Sequence, residues 1–319
     1  IGDFLFKKEV PLRKINFLFY LIPLIFCFIY LIESQFNKAT YNYFILYLAF
    51  SFPATYIGTY VATNKSLKSM AKWWELVSLI ITLGLIISFP KIVFLKEVSL
   101  GGASYQSISY MAAYAYSINL FSLLFRDKYP RFKFFQSKLF NAISFLFLFF
   151  QIICVFISGG RGGFVVVFFS SVIMLYKKFK GHIIRGKVIL VSIAIILSII
   201  LLPKILPEEV KNTIQIGSGR VFSYISSEGI DMSESSGRDI VYSTVTKSII
   251  EQPIIGHGIF NANASEHAAH NIFLEFLLQG GIMYFLFWIM ILVLLYYKYI
   301  RTLKVDNINL LLIPIAIYP

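Results

Sequence analysis

Long apolar runs separated by short charged stretches recur from one end of the chain to the other. They predict eight membrane-spanning helices, at residues 15–32, 42–62, 73–95, 105–125, 139–157, 162–176, 188–206 and 282–300, and a partial ninth from 308 onward. A run of about 17–25 apolar residues lets a helix cross a hydrocarbon core about 30 Å thick. Composition agrees: 58% of the 319 residues are hydrophobic and 33 are Phe, with a mean hydropathy of +0.75. A soluble domain of this length cannot keep so much apolar surface from water. The expected fold is an all-α polytopic membrane protein of about eight or nine helices.

A net charge of +13 would point to nucleic acid in a soluble protein, so the placement of the charge decides its meaning. Lys7, Lys8, Arg13 and Lys14 precede the first span, and Lys65, Lys68 and Lys72 lie in the second connection. Arg126, Lys128, Arg131, Lys133 and Lys138 fill the fourth. Lys177, Lys178, Lys180, Arg185 and Lys187 fill the sixth, and Lys298, Arg301 and Lys304 the eighth. Most of the basic residues thus fall on alternate connections, which marks those connections as cytoplasmic. The excess charge is a topology signal, and nucleic acid is not an expected partner.

The other connections are then extracytoplasmic, and one is far longer than the rest. Residues 207–270 carry eight acidic and four basic side chains. Long loops on tight bundles usually carry function. The expected organisation is a helix bundle at 1–206, an extracytoplasmic functional loop with short helices at 207–270, and C-terminal membrane helices at 271–319. Cys27 and Cys154 both lie in apolar spans, so no disulfide framework supports the loop. The chain opens on a charged segment without Met and closes inside an apolar run, so truncation at both ends is expected.

Ion-coupled transporters usually keep ionisable groups near the bilayer midplane. Here Glu75 and Lys91 sit near the ends of the third span, and the middles of the spans hold Ser, Thr, Asn, Gln and Tyr. Trp73 and Trp74 suit interfacial anchors. The outer face carries more chemistry. "ISGGRGGFVVVF" sets Arg161 among four glycines in a short turn between two spans. The run that follows is short for a full crossing, so the turn is expected to dip below the headgroups. A guanidinium there is costly unless an anion pairs with it, and glycines let a bulky group approach the backbone. A phosphate grip and a snorkelling arginine on a tight turn both fit.

In "SSGRDIVYSTVTKSIIEQP", Ser236 and Asp239 have capping-box spacing, which starts a helix near Gly237. Val241, Val245 and Ile249 fall on one face and Pro253 ends the run, making a short amphipathic helix. Arg238 stands in its first turn, where the helix dipole is already positive. An external anion would turn that liability into a site; a surface salt bridge to Asp239 or Glu234 is the alternative.

"SEHAAHNIFLEFLLQGG" places His267 and His270 three residues apart, ahead of a double glycine. Glu266 and Glu275 complete a set of residue types that suits a metal. The order is not that of the zincins, however, and spacing fixes no third strong ligand. An interfacial structural histidine is a second reading. A general base is the third, since histidine exchanges a proton near neutral pH and neighbouring arginines keep it uncharged.

These pieces resemble the O-antigen polymerase and O-antigen ligase superfamily of bacterial envelope glycosyltransferases. The resemblance runs from about Ser158 to Gly281: "SGGRGG", "GRDIVY", "PIIGHG" and "HNIFLEFLLQGG" follow in order, with ten residues between His270 and Gly281. "SYQSISYMAAYAYSINLF" at 104–121 is more distantly similar to an earlier span of these proteins. The resemblance implies an inverting, metal-independent transfer from an undecaprenyl-pyrophosphate-linked sugar, without a cofactor. Carried over, Arg161 and Arg238 would hold the pyrophosphate and His270 would deprotonate the acceptor hydroxyl. Arg220 in "GSGRVF" would be a further anion or sugar contact, or else a solvated loop residue. Tyr242 would line the acceptor groove, or pack in the core. No role falls to His267.

The resemblance further implies undecaprenyl-pyrophosphate-linked oligosaccharides as donor and acceptor, and a chain-length regulator as a protein partner. The site would face the exterior of the bacterial inner membrane. Within the superfamily the expected member is a polymerase of O-antigen or capsular repeats. The alternative is the ligase that moves glycan onto lipid A core, and from another class a lipid-linked oligosaccharide flippase. The acidic, Ser-rich "SSEGIDMSESSG" at 226–237 favours the polymerase, because a ligase meeting anionic lipid A core would present basic residues there.

Overall fold

A computed structural model describes residues 38–51, 67–94, 105–125, 127–179, 208–212, 238–258, 271–305 and 307–316, with short pieces between 21 and 54 and between 215 and 230. The described helices include α1 (Lys38–Leu46), α2 (Leu67–Phe94), α3 (Tyr105–Phe125), α4 (Lys138–Ser158), α5 (Arg161–Phe179), α6 (Arg238–Glu251), α7 (Ile272–Val305) and α8 (Ile313–Ala316). A π turn, Tyr47–Ser51, carries α1 onward, and a 3-10 turn, Asn307–Leu312, precedes α8. Among the described residues the only strands are a two-residue antiparallel pair, Ile225–Ser226 against Gly229–Ile230.

Five of the described helices are long and apolar enough to cross a membrane: Lys68–Val93, Gln106–Phe125, Lys138–Ser158, Arg161–Phe179 and Ile272–Lys298. They match the spans expected at 73–95, 105–125, 139–157, 162–176 and 282–300, with two corrections. The run after Arg161 is helical for 19 residues, about 28 Å at 1.5 Å per residue. The amphipathic Lys177 and Lys178 finish that helix where cations suit its C-terminal dipole. A helix of that length gives the preceding turn no reason to dip into the membrane. The last long helix begins at Ile272, ten residues before the expected Ile282, because the amphipathic stretch ahead of the double glycine is helical too. The expected span at 188–206 lies outside the described residues, as does nearly all of 15–32.

The chain forms two compact units, Ile1–Leu67 with Ser233–Arg301, and Lys68–Met232 with Thr302–Pro319. In the second, α3 packs against α4 and α5. Its small residues explain this: Ala112, Ala113, Ala115, Ser109 and Ser117 are all fully buried, and small side chains let membrane helices approach closely. The hydroxyl and amide groups in the middles of the spans are used between helices. Ser78 Oγ donates to the Ala115 carbonyl at 2.8 Å, Gln151 Nε2 to Thr82 Oγ1 at 2.6 Å, and Asn119 Nδ2 to the Ser144 carbonyl at 2.9 Å. Ser117 Oγ donates to Ser170 Oγ at 2.9 Å. Such bonds average about 0.6 kcal/mol each, enough to favour one helix register when several act together.

One charged pair seals an end of this unit. Arg131 Nε donates to both Glu75 carboxylate oxygens, at 3.1 and 3.0 Å, and its Nη1 to Asn141 Oδ1 at 3.3 Å. The two side chains are only 7% and 6% exposed. The pair ties the start of α2, next to the second connection, to the fourth connection, and the charge pattern assigns both connections to one membrane face. In the sequence Arg131 counts only as part of that pattern. Removing one partner of a buried pair costs about 3–5 kcal/mol, because the other charge is left buried alone. Arg131→Ala should lower the thermal unfolding midpoint of the purified protein sharply, and Glu75→Leu added to it should recover much of the loss. An unchanged midpoint in the single variant would contradict the stabilising role of the pair.

Candidate functional site

Two segments carry the residues singled out by sequence, one in each unit. In the Lys68–Met232 unit, α4 ends at Ser158 and α5 starts at Arg161. The intervening glycines sit against α3. Ser109 Oγ donates to the Gly160 carbonyl at 2.9 Å, and a Cβ at Gly160 or Gly163 would run into Ser109, one at Gly162 into the Tyr110 ring. Among the described residues, the bulky group these glycines admit is therefore a neighbouring helix. Arg161 is half-buried in the first turn of α5, where the helix dipole is positive and an anion is favoured.

In the other unit, α6 forms as its pattern dictates. It spans Arg238–Glu251. Val245 is buried against Leu278 of α7, with Val241, Ile249 and Leu274 packed around them. Arg238 opens the helix, and Tyr242 lies half-buried one turn on, beside that apolar face.

The long helix α7 is broken at the double glycine. Gly280 and Gly281 leave helical geometry, with Gly281 at φ 64° and ψ −163°, a region essentially reserved for glycine. A break frees backbone groups that must find partners. They find them in the loop after α6. The His257 and Gly258 amides donate to the Leu278 and Gln279 carbonyls at 2.8 and 2.7 Å, and the Ile282 amide donates to the Pro253 carbonyl at 2.9 Å. The approach is so close that a Cβ at Gly256 (φ +66°) would meet the Gly280 and Gly281 amides, and one at Gly281 the Ile254 carbonyl. Phe276 before the break stacks on Trp288 beyond it, centroids 5.8 Å apart. "PIIGHG" and "LLQGG" are thus two halves of one clasp.

The clasp sets the direction of the helices. The C-terminal end of α6 meets the end of the first segment of α7, and their apolar faces pack side by side, so the two run parallel. Both helices begin away from the clasp, and the 14-residue α6 reaches farther from it than the stretch of α7 before Gly280. Arg238 starts one. Asn271 caps the other, its Oδ1 accepting from the Phe273 and Leu274 amides at 2.9 and 3.3 Å. His270, the residue before Asn271, lies outside the described residues, as do His267 and Arg220.

His257 is the residue that sequence reasoning passes over. Its Nε2 lies 2.6 Å from the Ser248 carbonyl in the last turn of α6; since a carbonyl only accepts, that nitrogen carries the proton. A histidine between two glycines in "GHG" is the available signal.

No protein-family model matches this chain, and no curated protein or solved structure matches it either.

Proposed function

We propose that this chain is a polysaccharide polymerase, a multi-pass membrane glycosyltransferase of eight or nine spans in the bacterial inner membrane. It joins undecaprenyl-pyrophosphate-linked repeat units on the external face, where the 207–270 loop carries its site. The observation that supports this reading best is the parallel α6–α7 pair, with Arg238 starting one helix and the neighbour of His270 capping the other. An arginine in the first turn of one helix, and a histidine next in sequence to the cap of the other, suit a pyrophosphate leaving group and an acceptor hydroxyl, since helix N-termini favour negative charge.

The chemistry then follows. His270 takes the proton of the acceptor hydroxyl, whose oxygen attacks the anomeric carbon of the donor sugar. The bond from that carbon to the pyrophosphate oxygen breaks, its electron pair leaves with the phosphate, and the anomeric configuration inverts. Arginine forks stabilise the charge that develops there, the role that the resemblance gives to Arg161 and to Arg238.

The test uses purified protein in liposomes with repeat units extracted from the same bacterium lacking this chain. A ladder of lengthening lipid-linked products is expected from that single substrate. A product that appears only when lipid A core is added would make the protein a ligase. Transbilayer movement of the substrate without any new glycosidic bond would make it a flippase.

A further inference from the structure

The α6–α7 pair rests on little apolar packing. Among the described residues only Val245 and Leu278 are buried there, with three half-buried neighbours. Such a seam alone leaves the helices able to slide, and one turn of sliding moves a helix end about 5.4 Å. That displacement exceeds the tolerance of any hydrogen-bonded site.

His257 bonds both helices at once. Its ring Nε2–H donates to the Ser248 carbonyl of α6 at 2.6 Å, and its backbone amide donates to the Leu278 carbonyl of α7 at 2.8 Å. The ring serves the end of α6, where the last carbonyls lack helical partners and a donor is favoured. The last turn of α6 has no basic residue of its own, so the donor comes from the following loop. Gly256 and Gly258, both at positive φ, let that loop lie close enough to reach both helices.

We infer that His257 is a positioning residue that fixes the register of α6 against the first segment of α7, and so the spacing between Arg238 and the Asn271 cap. The inference rests on the proposed function only where it predicts activity. The register itself can be read without turnover.

Gln places an amide N–H where the histidine Nε2–H lies, whereas Asn places one at the other ring nitrogen, so the pair of variants separates this bond from mere bulk. Spin labels on exposed positions of the two helices, at Lys247→Cys and Ile272→Cys in a background lacking Cys27 and Cys154, report the register as a distance distribution. His257→Ala and His257→Asn should broaden or shift that distribution, and His257→Gln should keep it. In the polymer assay the first two should lose about tenfold to a hundredfold in kcat with little change in KM, and His257→Gln should recover most of it. An unchanged distance distribution in His257→Ala would overturn the inference, whatever the activity. So would full rescue by Asn. If the wild-type chain forms no polymer yet the distances respond as stated, the positioning role stands and the proposed reaction falls.

Discussion

His270→Ala is expected to abolish polymer formation while the protein still inserts and purifies normally. A positioned general base contributes about 100-fold or more, and the acceptor hydroxyl is too weak an acid to lose its proton unaided near neutral pH. Asn271 supplies the α7 cap from its own side chain, so losing the neighbouring imidazole leaves helix formation intact. The wild-type protein should work equally well after exhaustive chelation. Loss of activity on chelation, with recovery on adding zinc, would replace the base with a metal ligand and return the His267–His270 pair to its other reading.

The second large effect belongs to the arginines. Arg161→Lys and Arg238→Lys keep the charge and remove the planar fork. Each residue starts a helix, where the dipole disfavours a cation and a donor pyrophosphate would offset that cost. Removing a charge-assisted hydrogen bond from a desolvated site costs roughly 2–4 kcal/mol, or about 30-fold and more in rate. Initial rates at saturating and at limiting lipid-linked substrate separate weaker donor binding from weaker leaving-group stabilisation. Wild-type rates in either lysine variant would remove that arginine from the site.

The helices are legible because their signals are local. The span at 105–125 coincides with α3, and that at 139–157 differs from α4 by one residue at each end, since charged or small polar residues bound each apolar run. The helical stretch of α6 and its apolar face follow from the valines at i and i+4, which pack with Leu278, while the expected capping residue Ser236 lies outside the described residues. Long-range partners leave no such trace. Arg131 and Glu75 are 56 positions apart, and in sequence Arg131 looks like any other basic residue of a connection expected to be cytoplasmic. The same holds for the clasp. "PIIGHG" and "LLQGG" read as two separate motifs, and only the freed backbone at Gly280 and Gly281 explains why one needs the other. Of the candidate site, the helix that begins near Arg238 can be read from the sequence, whereas Arg161 reads as a turn residue and instead opens α5. The parallel course of α6 and α7 cannot be read, because no periodicity encodes which helix ends meet.

The most direct measurement counts both products of the proposed transfer in one reaction. In liposomes holding this protein and lipid-linked repeat units, each new glycosidic bond should release one undecaprenyl pyrophosphate, and the new linkage should have the opposite anomeric configuration to the donor. Bonds formed without release of the lipid pyrophosphate, release without bonds, or retained configuration would contradict the account.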